Sequence, residues 1–403
     1  MGLFDHPYVD ESKIESILDS PEHKRLARLG AACSFVLLRN EGQILPLKKT
    51  IKSVAVIGVL ADSKTDILGS WAFEANRSLA VTILEGIRAK VPSARVEFVR
   101  GAELHRPDHG MDLPPYAPIT EQSPAQLEQE IRKAVAIAAR SDVAIVVVGE
   151  HENMSGENSS RASFDLPGSQ EQMLEAVASA GKPVVLVLLS GRPLNINWAS
   201  KHVAAILQAW YPGSEGGNAV SDVLFGDVNP SGKLPITWPR SAGQEPVYYA
   251  HNLTHFLETS PSFISRYWDQ PSSQLYPFGF GLSYSQFDYS NLRLDKNVIT
   301  KNEALHASID VTNSGAVDGE DIVQLYVHQQ AGTASRPVKQ LKGFQKVRLA
   351  PGEKQTVRFT LRTEDVGYWN PQSRCWIVEH EAFDVWIGGD SSATAHGTFR
   401  IKP

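Results

Sequence analysis

The sequence predicts an α/β domain followed by an all-β domain: an α/β/α sandwich with a mostly parallel sheet, and then an antiparallel β-sandwich. In the first 240 residues, short apolar strands alternate with helices that carry clear capping residues. Strands that are apolar throughout are typical of a sheet covered on both faces, so this alternation favours parallel strands between two helix layers. Beyond residue 290 the hydrophobic period becomes two, which indicates antiparallel strands.

Length and composition are those of an ordinary globular chain with two or three domains. The 403 residues are 42% hydrophobic and 21% charged, with a net charge of −6. No basic stripe indicates nucleic acid, and no run of about 18 apolar residues indicates a membrane span. The 12 histidines are scattered and no glycine-rich phosphate motif occurs, so we expect neither a metal nor another cofactor. Cys33 and Cys375 are expected to be buried free thiols.

Hydrophobic spacing and capping signals place the elements of the chain up to residue 240, of which we assign residues 49–240 to the α/β domain. The predicted strands cover residues 54–58, 96–99, 143–148, 184–189 and 203–210. The predicted helices begin at Ser20–Pro21, near residue 79, at the capping box Ser123–Gln126 and at Ser169 with Gln172, and a further helix runs through Leu224. The apolar stripe of the first helix continues to Val36 and Leu37.

The remaining segments differ in composition from this domain. Residues 1–48 precede it and contain the first helix, and residues 101–122 form a loop whose length suggests a lid or an interface. Residues 241–290 are an aromatic and Pro-rich connector. Residues 291–403 alternate apolar and polar side chains between turn signals, which predicts the β-sandwich.

The most informative stretch begins at the apolar strand 143–148, which ends at Gly149 and opens into an acidic loop. That loop carries Glu150, Glu152 and Glu157, and then Arg161. In open α/β sheets, ligands bind beyond the carboxyl ends of the strands, so this loop is a candidate site. The residues alone leave an equal alternative, in which these carboxylates are solvated loop residues.

Several long strings then resemble a known family in the order in which they occur. They are LFDHPY, GSW, VVVGE with SGENSSR, SGRPL, AWYPGSEGGNAVSDVLFGDVNPSGKLPITWPR, LYPFGFGLSY and SRPVKQLKGF. Together they resemble the β-glucosidases of glycoside hydrolase family 3, and most of all the bacterial periplasmic type. The resemblance covers nearly the whole chain and implies a fibronectin type III-like fold for the β-sandwich.

The family resemblance also implies a domain that we do not find in this sequence. Family members carry an N-terminal (β/α)₈-type barrel of roughly 250 residues, which holds the nucleophilic aspartate and most contacts to the first sugar. We therefore expect a barrel partner, either removed or supplied as a separate subunit, and we assign no nucleophile here. Family enzymes are often dimers and usually exported, so a homodimer and a periplasmic or secreted location are implied, although the first residues do not resemble a signal peptide.

Carried over residue by residue, the resemblance makes Glu157 the general acid/base. Glu150 is the second candidate for the acid/base role, but we expect it instead to cap or bond the loop that presents Glu157. Arg161 is expected to hold that loop through a carboxylate rather than to touch substrate, and Glu152 is expected to be solvated. Trp71, in GSW, resembles the aromatic side chain that stacks on the sugar in the leaving-group subsite, with a core tryptophan as the alternative.

Two functions remain open from the sequence. In the first, the chain is the C-terminal part of a retaining enzyme that hydrolyses terminal non-reducing β-D-glucosyl residues and supplies the acid/base but not the nucleophile. In the second, it is a non-catalytic module that binds sugar or protein. The preferred linkage and aglycone, the acceptance of xylosides and the oligomeric state do not follow from the residues.

Overall fold

The structure is a computed structural model that describes residues 2–18, 20–73, 75–104, 122–253 and 266–403. An α/β domain comes first and an all-β domain second, which confirms the predicted fold class. Most of the predicted lid or interface loop at 101–122 lies outside the described residues. Among the described helices, none is both long and apolar enough to cross a membrane.

Six strands form the sheet of the first domain: β1 (Val36–Asn40), β2 (Ser53–Ile57), β3 (Arg95–Val99), β4 (Val143–Gly149), β5 (Val184–Leu189) and β6 (Ala205–Gln208). They lie in the order β1-β6-β5-β4-β2-β3. All neighbouring strands run parallel except β1, which pairs antiparallel with β6. Every residue of β2, β4, β5 and β6 is buried, which explains why these strands are apolar on both faces.

The described part of the chain contains seven α-helices: α1 (Ile14–Leu18), α2 (Pro21–Ser34), α3 (Ile83–Lys90), α4 (Pro124–Ala139), α5 (Gln170–Ala178), α6 (Ala199–His202) and α7 (Gly216–Leu224). Residues of α2, α3 and α7 pack on one face of the sheet, and residues of α4, α5 and α6 pack on the other. α3 and α7 approach so closely that a Cβ on Gly86 would lie 2.1 Å from the carbonyl oxygen of Gly217. The three layers of the predicted α/β/α sandwich follow from these two packed faces.

Capping residues fix most helix starts as the sequence predicts. The side chain of Ser20 accepts from His23 at the start of α2, and Ser123 with Gln126 forms the predicted capping box of α4. The helix predicted near residue 79 instead begins at Ile83, because Thr82 and Glu85 form a capping box there.

Three other sequence expectations are wrong. Val36 and Leu37 do not extend the first helix, because the backbone becomes extended at Phe35 and the chain continues as the edge strand β1. Ser169 precedes α5 without any capping bond from its side chain. The thiols of Cys33 and Cys375 are free as expected, but both residues are exposed rather than buried.

Ten short or medium strands build the second domain: β7 (Phe287–Leu294), β8 (Val298–Thr300), β9 (Ala304–Asn313), β10 (Gly319–Gln329), β11 (Gln340–Leu349), β12 (Lys354–Arg362), β13 (Tyr368–Asn370), β14 (Cys375–Ile377), β15 (Ala382–Gly388) and β16 (Ala395–Lys402). A five-stranded sheet, β11-β10-β15-β16-β8, and a three-stranded sheet, β12-β9-β7, share one core. All pairs are antiparallel except β8 with β16. This arrangement is the predicted β-sandwich.

Polar contacts join the two domains through β10. The ammonium of Lys233 lies 2.7 Å from Asp321 Oδ1, and the hydroxyl of Tyr289 donates to the other oxygen of that carboxylate. The side-chain amide of Gln324 donates to the carbonyl of Gly279 in the connector at 3.1 Å. The domain contact is therefore built on hydrogen-bonded polar groups from both sides.

A network of ion pairs connects α2 and α3 to α7. The buried carboxylate of Asp222 accepts from the guanidinium of Arg28 and from the ammonium of Lys90, which also contacts Asp227. Burial alone would raise the pKa of Asp222, but the hydrogen bonds from Arg28 and Lys90 outweigh it and hold the pKa below its usual value. The network therefore stabilises the packing of α2, α3 and α7 while Asp222 is ionised.

Replacing Asp222 with Asn should leave both cations without their shared carboxylate. At pH 7 we expect the free energy of unfolding to fall by about 2–3 kcal/mol, which lowers the Tm of the α/β domain by roughly 5–10 °C. Because the folded-state pKa is depressed, this stabilisation is complete above the unfolded pKa of about 3.9 and is lost as the pH falls through the folded value. The Tm difference should therefore shrink in acid.

Thermal unfolding followed by circular dichroism at pH 7 and at low pH measures this effect. Glu22→Gln is the matched control, because it breaks an exposed ion pair with Arg25 on α2 and should leave the Tm unchanged. Equal losses in the two variants, or a loss for Asp222→Asn that persists in acid, would contradict the assigned role of the network.

Candidate functional site

The acidic loop leaves the carboxyl end of β4, next to the end of β5. Gly149 closes β4 with a φ of +140°, and a Cβ there would lie 1.9 Å from the carbonyl oxygen of Leu189. Only glycine fits this close approach of the two strand ends. The N–H of Glu150 then donates to the same carbonyl at 2.8 Å, so the loop starts from a fixed point.

Glu150 is completely buried and its carboxylate lies between two arginines. Arg161 Nη1 donates to Glu150 Oε1 at 2.8 Å, and Arg192 Nε lies 3.2 Å from the same oxygen. The hydroxyl of Ser155 donates to Oε2 at 3.2 Å. A buried charge is tolerated only when it is paired and hydrogen-bonded, and these three side chains supply both conditions.

Glu157 differs from Glu150 in that it is exposed. Its neighbours Gly156 and Asn158 have φ values of +102° and +60°, so the backbone turns sharply on both sides of it. A Cβ on Gly156 would lie 3.0 Å from Ser70 Oγ and 3.6 Å from Trp71 Cζ2. The structure therefore brings Trp71 beside the residue next to Glu157.

Trp71 is 63% exposed, so the alternative of a core tryptophan does not hold. Its ring meets that of Phe73 edge to face at a centroid distance of 5.9 Å, and Phe73 is exposed as well. The sequence analysis did not select Phe73. Trp71, beside Gly156, and Phe73 thus form a pair of exposed rings, and exposed aromatic faces suit the apolar face of a sugar.

Tyr211 joins the loop of Trp71 to the acidic loop. Its hydroxyl donates to the carbonyl of His151 at 3.2 Å, and its side chain packs against Gly69, where a Cβ would lie 2.8 Å from Tyr211 Cβ. Burial, followed by the nearby charge of Glu150, raises the pKa of Tyr211, so the phenol stays protonated and donates. Tyr211 was missed in the sequence because nothing local links the YPGSEGG turn to residues 60 positions earlier.

Glu152 is buried, which corrects the expectation that it is solvated. Its N–H donates to Oδ1 of Asp66 at 3.2 Å, and Asp66 also accepts from the hydroxyl of Ser63 at 2.7 Å. The expectation failed because burial continues from Glu150 through His151 to Glu152, which local polarity does not reveal. Of the three glutamates on the acidic loop, Glu157 alone is exposed.

Arg192 is the second arginine on Glu150, and the sequence analysis did not select it as a site residue. The SGR triplet that contains Arg192 directly follows β5, so Arg192 emerges at the same sheet edge as the acidic loop. A cation directly after a buried strand, beside a loop with several carboxylates, was the available signal.

Comparison with protein families gives two matches. The model of the "Glycosyl hydrolase family 3 C-terminal domain" matches residues 35–284, and that of the "Fibronectin type III-like domain" matches residues 321–391. The first match covers the α/β domain and the connector, and the second lies within the β-sandwich. Both matches confirm the resemblance drawn from the sequence strings.

Individual proteins agree with the family models. A "Periplasmic beta-glucosidase" of Salmonella typhimurium is 41% identical over 411 residues, covering 100% of this chain and 54% of that protein. A "Beta-xylosidase" of Formosa agariphila is 35% identical, covering 98% of this chain and 52% of that protein. The structure of a mutant β-glucosidase from Listeria innocua in complex with laminaribiose superposes with a TM-score of 0.88 at 32% identity, covering 100% of this chain and 53% of that one. The chain thus spans about half the length of these relatives.

Replacing Glu150 with Gln should destabilise the α/β domain, because Arg161 and Arg192 would then face a neutral amide whose NH₂ cannot accept. We expect a loss of about 3 kcal/mol in the free energy of unfolding, seen as a Tm lower by roughly 6–12 °C. Glu157→Gln changes an exposed carboxylate on the same loop and serves as the matched control with an unchanged Tm. An unchanged Tm for Glu150→Gln would show that its charge is not needed for the loop.

Proposed function

The chain belongs to glycosyl hydrolase family 3, and we propose that it forms the part of a retaining β-glucosidase that supplies the general acid/base, Glu157. One observation carries this assignment: on the acidic loop, Glu157 is exposed, whereas Glu150 and Glu152 are buried. A residue that passes a proton to a substrate must be reachable by that substrate.

The proposed reaction needs two carboxyl groups about 5–5.5 Å apart on either side of the scissile bond. Glu157 protonates the leaving oxygen while a nucleophile attacks the anomeric carbon, and the resulting carboxylate then deprotonates the water that releases the sugar. We assign the nucleophile to an aspartate of a barrel domain outside these 403 residues. That barrel belongs either to the same protein or to a partner subunit, and the reaction needs no cofactor.

Trp71 is proposed to bind the sugar on the leaving-group side. Its exposed indole lies beside Gly156, so a sugar stacked on the ring would hold its linking oxygen near Glu157. Phe73 extends this apolar surface. Stacking of this kind gains buried area without fixing one hydroxyl pattern, which suits both oligosaccharides and aryl glycosides.

Glu150 and Arg161 are proposed to support the acid/base loop rather than to react. Their contact at 2.8 Å is buried on the side of Glu150, and Arg161 also donates to the carbonyl of Asp165 at 3.0 Å. Arg161 thereby links the beginning of the acidic loop to its end. Glu150 is completely buried and both of its carboxylate oxygens contact arginine side chains, which supports a structural role for it.

The names of the relatives define the proposed substrates and location. Relatives are named for β-glucosidase and β-xylosidase activity, and one structure of a β-glucosidase is a complex with laminaribiose. We propose terminal non-reducing β-D-glucosyl residues as the substrate, with xylosides as the competing class. The name of the Salmonella relative supports a periplasmic location.

Glu157→Gln in the barrel-containing enzyme tests the acid role. For substrates with poor leaving groups, such as alkyl glucosides and disaccharides, kcat/KM should fall by about 10²–10⁴-fold, because protonation of the leaving oxygen is lost. For dinitrophenyl glucoside, whose leaving group needs no proton, kcat/KM should stay within a few-fold of wild type.

Glu128→Gln, an exposed carboxylate on α4, is the control and should change neither value. Equal losses on both substrate types would contradict the acid role. Full activity of Glu157→Gln on all substrates would favour the alternative that the chain is a non-catalytic module derived from this family.

A further inference from the structure

Arg192 contacts the acidic loop on both sides of Glu157. Its Nη2 donates to the carbonyl of Ser159 at 2.7 Å and also to the carbonyl of Met154. The same nitrogen lies 3.4 Å from the hydroxyl of Ser155. One guanidinium group thereby reaches two backbone carbonyls that bracket the exposed carboxylate.

The other side of the guanidinium is held by a buried charge. Arg192 Nε lies 3.2 Å from Glu150 Oε1 and 3.3 Å from Oε2, and Glu150 is completely buried. Three-quarters of the Arg192 side chain is buried, with 24% exposed. The ion pair with Glu150 therefore holds Nε of the guanidinium group, and Nη2 of the same group faces the loop.

The backbone around Arg192 is shaped for this contact. A Cβ on Gly191 would lie 2.5 Å from Ser155 Oγ and 2.9 Å from Ser155 Cβ, so the loop rests directly on the turn that follows β5. The hydroxyl of Ser190 donates to the carbonyl of Arg192 at 2.7 Å and fixes that turn. The backbone that carries Arg192 is therefore fixed directly after β5, and the guanidinium extends from there to the ion pair with Glu150.

The loop itself offers weaker restraints near Glu157. Ser159 N donates to the carbonyl of Gly156 at 3.3 Å, and the hydroxyl of Ser159 contacts the carbonyl of Glu157 at 3.4 Å. Both bonds lie within the loop and move with it. The Arg192 contacts differ because they connect the loop to β5, a buried strand.

We propose that Arg192 is a positioning residue that holds residues 154–159, and with them the carboxylate of Glu157, at a fixed place on the sheet edge. The catalytic part of this inference rests on the proposed function of Glu157. Arginine is required because its planar fork reaches Glu150 and the two carbonyls at once, whereas an ammonium group on a longer flexible stem is a single point of charge.

Arg192→Lys distinguishes two roles of Arg192: holding residues 154–159 in place and compensating the charge of Glu150. Lysine keeps a cation next to Glu150, so the Tm of the 403-residue chain should stay close to wild type. The carbonyls of Met154 and Ser159 lose their shared donor, so amide hydrogen exchange across 154–159 should become about tenfold faster or more. Exchange is measured in the chain itself by mass spectrometry and does not depend on any enzymatic activity.

Arg161→Lys is the matched control. This variant alters the other arginine that contacts Glu150. The second acceptor of Arg161 is the carbonyl of Asp165, which lies outside residues 154–159. In Arg161→Lys, amide hydrogen exchange should become faster near residues 161–165 and not at residues 154–159. Unchanged exchange at 154–159 in Arg192→Lys, or equal effects of the two variants there, would overturn the proposal.

A second readout in the barrel-containing enzyme tests the consequence for catalysis. Arg192→Lys should lower kcat for a disaccharide at least about tenfold while KM changes little, and it should spare kcat/KM for dinitrophenyl glucoside. Equal losses on both substrates would contradict positioning of the acid. If Glu157→Gln itself shows no leaving-group dependence, the proposed function fails, whereas the exchange result on Arg192 stands or falls independently.

Discussion

The buried carboxylate of Glu150 is the constraint on which the rest of the site depends. A charge without solvent exposure persists only if cations and hydrogen-bond donors surround it, and Arg161, Arg192 and Ser155 meet that requirement. These partners come from the acidic loop and from the turn after the neighbouring strand. Satisfying one charge therefore fixes the path of the loop, and the same loop presents Glu157 to solvent.

The parallel sheet explains why these groups meet. β4 and β5 are adjacent and parallel, so the residues that follow them emerge at one edge, and Gly149 lets the strand ends approach closely. The two carboxylates then differ by environment rather than by chemistry. Glu150 is buried between two guanidinium groups, whereas Glu157, the proposed acid, is exposed on the same loop, and the adjacent Gly156 lies beside Trp71.

Sequence reasoning identified the strands and helix starts that depend on local signals, and it missed the side-chain contacts that depend on residues far apart in the chain. Apolar runs and capping boxes located the strands and most helix starts, and the acidic loop after β4 was recognised as the candidate site. Val36 and Leu37 were assigned to a helix because short apolar runs fit either period, and only the pairing with β6 makes them a strand. The burial of Glu152 and the contacts of Arg192 depend on how the loop folds over the sheet edge, which spacing along the chain does not encode.

We propose that this chain supplies one of the two carboxyl groups of a retaining site. The decisive experiment is to incubate the purified 403-residue chain with an aryl β-glucoside, beside the same chain carrying Glu157→Gln. We expect no turnover above the uncatalysed rate for either protein, because the double displacement needs a nucleophile that we place outside the chain. Turnover on the order of 1–10³ s⁻¹ by the wild-type chain alone, lost in Glu157→Gln, would show that the chain holds both carboxyl groups.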